Sequence, residues 1–146
     1  MKKIAFILFF YSLQVLADDV RPTCPDYEMF EVIVKNNTTS DCVVVQEDLR
    51  HGYLPRITQF FSLKSNEEKK VSILYNLVVE GPDMALSYQC GTDKFVTIVS
   101  ARDGLFAPTR YVKGLVSSAA NMDAVFTAEQ GSCEDNKPAR IRWSLY

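Results

Sequence analysis

The chain has one histidine and one tryptophan among 146 residues. With a single imidazole, His51, no His-x-x-x-His metal or protease motif can be written. Neither a Gly-x-Ser-x-Gly elbow, a phosphate loop nor a paired-carboxylate spacing occurs. The stretch 48–55 around His51 holds one glycine and one proline and reads as a loop, where a lone histidine is solvated. The sequence therefore predicts no enzyme, no metal and no cofactor. A basic surplus is missing too: Lys and Arg number 16 against 18 Asp and Glu, for a formal charge of −2. The cations are scattered rather than clustered, which excludes a nucleic-acid surface. The longest apolar run, 4–11, falls short of the about 20 residues a spanning helix needs. No repeat or linker divides the chain, and its length suits one domain.

That apolar run sits in a leader. Lys2-Lys3 precedes it, and Val15-Leu16-Ala17 follows before Asp18-Asp19. Positive end, apolar middle and small-residue cleavage site are the three parts of a secretory signal. Residues 1–17 are expected to be removed and 18–146 to form the mature domain, outside the cell. Losing Lys2 and Lys3 makes the mature chain more acidic. All four cysteines, Cys24, Cys42, Cys90 and Cys133, lie in that mature part. An even count behind a signal reads as two disulfides, and three connectivities are open to four cysteines. None of the spacings resembles a zinc or redox motif.

Alternation of apolar and polar residues marks most of the mature chain as β. Runs at 29–34, 42–46, 57–63, 71–79, 85–90, 95–100 and 124–128 are strand candidates. The clearest turn is Gly91-Thr92-Asp93-Lys94, between two extended runs. The cluster 36–41, rich in Asn, Thr and Ser, predicts a first hairpin. Tyr111, Val112, Leu115 and Val116 lie at helical spacing behind Pro108, so 107–117 is expected to be a short helix, weakened by Gly114. The tail 141–146 alternates and reads as a short strand or a packing flap.

The segment Tyr27-Glu28-Met29-Phe30-Glu31-Val32 stands where lipocalins carry a Gly-x-Trp-Tyr-Glu-Val type signature, with Tyr27 for the glycine and Met29 for the tryptophan. Tyr88-Gln89-Cys90 precedes an apolar strand that closes near Ser100 and Arg102. In this order of elements the chain resembles the lipocalin family, nearest its secreted insect and arthropod branch. The resemblance implies an all-β, up-and-down antiparallel β-barrel with one C-terminal α-helix outside it; either 57–79 holds longer, bent strands or the barrel is shortened by a hairpin. It favours bridges Cys24–Cys90 and Cys42–Cys133. It places Arg102 at the barrel floor, packing its stem on Met29 or stacking on Trp143. It points Met29, Glu31 and Ile33 into the barrel, where Glu31 would need a ligand amine or Arg102 as partner.

The function implied is binding, sequestration or transport of a small hydrophobic or amphipathic ligand inside the barrel. Phe61, Tyr75, Tyr88 and Phe95 join the first-strand residues as expected cavity lining. The alternative is a monomeric effector that binds a protein target through loops or an outer wall. Overlapping sequons make Asn36 or Asn37, not both, a glycosylation site.

Overall fold

The computed structural model describes residues 24–52, 62–75, 81–104 and 111–146. The expected leader, Phe61 and the run 57–61 lie outside these residues. A short 3-10 turn, Pro25–Glu28, begins the described chain, with proline in its first turn, where a missing N–H costs nothing. Nine strands follow: β1 Met29–Asn36, β2 Cys42–His51, β3 Ser62–Leu63, β4 Glu68–Tyr75, β5 Asp83–Cys90, β6 Lys94–Arg102, β7 Val112–Ala120, β8 Ala124–Glu129 and β9 Ala139–Leu145. His51 thus ends a strand rather than sitting in a loop.

The strands form two sheets, ordered β4-β1-β9-β8 and β3-β2-β5-β6-β7. The all-β expectation holds, but the closed up-and-down barrel does not. In a barrel of that kind β1 would pair with β2. Here β1 pairs antiparallel with β4 and parallel with β9, while β2 pairs with β5. The cause is visible in the cluster expected to make a hairpin. Asn36 donates through Nδ2 to Ser40 O and Leu63 O, at 2.8 and 3.1 Å. Its Oδ1 accepts from Thr38 N and Thr38 Oγ1, at 2.9 and 2.7 Å. These bonds turn the chain through a corner, from one sheet to the other, instead of folding it back on itself.

The expected helix is a correction as well. Residues 107–110 lie outside the described residues, and from Val112 onward the chain is β7, paired along its length with β6. Val112, Gly114 and Val116 alternate with Lys113, Leu115 and Ser117, a strand pattern carried by the same letters. Gly114 has its own reason: a Cβ there would lie 2.7 Å from the Phe126 ring on β8. The turn between β5 and β6 forms where expected, with Gly91 at φ +66°.

The two sheets share one core. Phe30, Val32 and Val34 of β1, Leu74 of β4 and Ile141, Trp143 and Leu145 of β9 meet Leu86, Tyr88, Val96 and Ile98 of the five-stranded sheet. Each such side chain stabilises by about 1.5–3 kcal/mol when fully buried. Of the two readings of the tail the strand holds: β9 lies between β1 and β8, and Trp143 is fully buried.

Two disulfides close the fold, and both correct the expected pairing. Cys24 joins Cys133, with Cα atoms 5.3 Å apart, and Cys42 joins Cys90, directly opposite in the β2–β5 register. The bridges are nested rather than interlaced. This follows from the sheet order, because β2 and β5 are neighbours and the segments preceding β1 and β9 start side by side.

Candidate functional site

The residues expected to line an interior cavity do not converge. Phe30, Val32 and Val34 take the inward face of β1, so Met29, Glu31 and Ile33 project from the outer face of the four-stranded sheet. Tyr75 is the register partner of Met29 and shares that outer face. Tyr88 points inward and is fully buried in the core. Phe95 projects from the outer face of the other sheet, being one residue from inward Val96.

Arg102 and Trp143 do not stack. The Arg102 guanidinium lies 4.7 Å from the centroid of the Tyr27 ring, and its Nη1 donates to Tyr27 O at 2.7 Å and to Met29 O at 3.3 Å. The guanidinium therefore stacks on Tyr27, a partner that was not expected, rather than on Trp143. Trp143 instead donates its indole N–H to Ser100 Oγ at 2.9 Å.

Glu31 is only 5% exposed although it lies on an outer face. Lys70 donates to its Oε1, and Arg140 donates to its Oε2 from Nε at 2.8 Å. Glu129 pairs with Arg140 in turn, at 3.3 Å. Charges of alternating sign thus run across all four strands. Burial alone would raise the Glu31 carboxyl; the Lys70 and Arg140 hydrogen bonds outweigh it and hold the group below the usual carboxylate range. Both Glu31 oxygens are engaged by cations, so Glu31 serves as the structural centre of this row.

The outer face of the five-stranded sheet is different. Register places Gln46 opposite Ser87, Ser87 opposite Thr97, and Thr97 opposite Ser118. Four uncharged polar side chains therefore form one straight row over β2, β5, β6 and β7. The sheet is irregular at both ends of that row. One irregularity falls between Val44 and Gln46 on β2, the other beside Ser118, where Thr97 and Ile98 of β6 pair with Ser118 and Val116. Extra residues of this kind bend a strand and increase its twist. Here they bracket a concavity of about 270 Å³, lined by that row with Asp48, Arg50, Ala85 and Phe95. Ser87 Oγ and Thr97 Oγ1 are hydrogen-bonded at 2.8 Å, and Arg50 Nε donates to Asp48 Oδ2 at 3.2 Å. The arrangement offers hydroxyls, an amide, a neutralised ion pair and one aromatic ring, a set suited to binding rather than to bond breaking.

Sequence reasoning put Phe95 inside a cavity rather than on this outer face, and missed the polar row, because a polar residue at an outward strand position reads as merely solvated. A signal was present: the Gly91 turn fixes Ser87 opposite Thr97. Among the described residues no group of three His, Cys, Asp or Glu side chains could hold a metal, and no helix is long and apolar enough to cross a membrane. Asn36, fully buried with Nδ2 already donating twice, offers nothing to a glycan in the folded chain. Asn37, in the second sequon, is partly exposed. No protein-family model matches the chain, and no curated protein is significantly similar to it.

Proposed function

We propose that this chain is a secreted, non-enzymatic binding domain that takes a small amphipathic ligand on the outer face of its five-stranded sheet. The carrying observation is the polar row Gln46, Ser87, Thr97 and Ser118, curved by an irregularity at each end into a ligand-sized hollow. The leader at 1–17 and the two disulfides support an extracellular site of action. The domain acts as a monomer, and Asn37 is the residue that carries its glycan. Affinity comes from desolvating the apolar face of the ligand on Phe95, at about 25 cal/mol per Å². The polar row fixes its orientation.

A second reading is favoured by one further observation. Val43 and Val45, on β2 near the same hollow, are 42% and 46% exposed. Together with the hollow they would suit the loop of a protein target.

The test is a fragment and short-peptide screen of the isotopically labelled secreted chain by NMR. Hits that shift the amides of Gln46, Ser87, Thr97 and Ser118 support the proposal. Hits that shift only Phe30, Leu74 and Trp143 relocate binding to the space between the sheets and overturn it.

A further inference from the structure

The hollow is selective in its chemistry, and each component narrows the ligand. β5 and β6, which carry Ser87, Phe95 and Thr97, are each paired on both sides along the hollow, so their backbone groups are committed to the sheet; β2 pairs with β5 along its length and with β3 at Cys42 and Val43. An extended peptide cannot add as a further strand over β5 and β6, so whatever sits on the floor of the hollow is held by side chains there. Asp48 neutralises Arg50, so the lining carries no net charge to attract a phosphate or sulfate. A purely apolar ligand would strip water from four polar side chains and return no hydrogen bonds.

What remains is a neutral molecule dense in hydroxyls with one apolar face. We infer that the hollow binds a neutral saccharide, one or two rings at a time. This inference rests on the proposed function and names its ligand. Phe95 is the platform for the C–H face of a sugar ring. The Ser87–Thr97 hydroxyl pair, the Gln46 amide and Ser118 supply donors and acceptors along one line. The Asp48–Arg50 pair uses Oδ2 and Nε internally, so Oδ1 and the terminal guanidinium nitrogens face vicinal hydroxyls as acceptor and donors. Both side chains are about half exposed, so a ligand reaches them without displacing core residues. The volume, about 270 Å³, lies just below the about 300–1,000 Å³ of drug-sized ligand sites and suits the end of a short oligosaccharide.

The experiment is a titration of the full secreted chain with chitohexaose, cellohexaose and maltohexaose, each to about 10 mM, where even millimolar affinity registers. Saturable shifts at Gln46, Asp48, Ser87 and Thr97 with at least one sugar are expected. Phe95→Ala should weaken that binding at least about fivefold. Asp48→Asn, a surface change that leaves the core intact, should weaken it as well, and Thr127→Ala on the opposite sheet should leave it unchanged. If no sugar gives saturable shifts at these residues while fragments still bind there, the saccharide assignment falls and the binding face stands. If neither sugars nor fragments bind there, both fall.

Discussion

The indole nitrogen of Trp143 on β9 donates to the hydroxyl of Ser100 on β6, at 2.9 Å, and both residues are buried. It is a buried polar bond between the two sheets. Ser100→Ala would leave the indole N–H unpaired and cost about 1–3 kcal/mol. Chemical denaturation followed by fluorescence reads this directly, because Trp143 is the sole tryptophan. An unchanged midpoint would show that the bond contributes nothing net.

Glu31 makes a pH-dependent contribution. Its folded pKa is lowered by Lys70 and Arg140, so its stabilisation is present above the unfolded carboxylate range and is lost as pH falls through the folded value. Glu31→Gln should cost about 1–2 kcal/mol at neutral pH, a value moderated by the partial exposure of both cations. The difference between the two proteins should shrink as pH falls through the lowered folded value. A constant gap in thermal midpoint across pH 2–7 would contradict this assignment.

Tyr88 is the opposite case. Its hydroxyl is buried and has no hydrogen-bond partner among the described residues, and burial, reinforced by the Glu47 carboxylate, pushes its pKa up. Tyr88→Phe removes an unsatisfied group with little change of shape, so the variant should be more stable by about 1 kcal/mol. The same variant should leave the alkaline ultraviolet titration of the folded protein unaltered, since Tyr88 stays protonated there. A destabilised variant would reveal a partner for the hydroxyl.

The Cys24–Cys133 bridge closes a loop with a sequence separation of 109 and lies next to the parallel pair β1 and β9. Replacing both cysteines with alanine should cost about 3–5 kcal/mol. Mass spectrometry of a non-reduced digest should find the peptides of Cys24 and Cys133 joined, and those of Cys42 and Cys90 joined. Any interlaced pair would contradict the sheet order.

Local pattern exposed the β5–β6 hairpin, since alternation on both runs and a glycine turn agree without help from distant residues. The segment 112–117 misled for a geometric reason. Val112 and Val116 are four apart, which is close to one helical turn and also two strand repeats, so spacing alone could not choose. The deciding fact was the Phe126 ring against Gly114, a contact with another strand. The sheet change after β1 was hidden similarly. Asn36 looked like part of a surface turn, and only its bond to Leu63 O, 27 residues away, shows it to be a buried corner. For the site, outward Ser87 and Thr97 were readable as a pair, whereas Gln46 and Ser118 join them only once β2 and β7 are known to flank the hairpin.

Placing β9 beside β1 also sets a timetable for biosynthesis. The strand near the start of the described chain must wait for residues 139–145 to be translated before its second neighbour exists. Until then one edge of β1, with inward-facing Phe30, Val32 and Val34, is open to stray pairing in the nascent polypeptide. A ribosome stalled before residue 139 should hold a chaperone-dependent intermediate, whereas the β5–β6 hairpin can close as soon as it emerges.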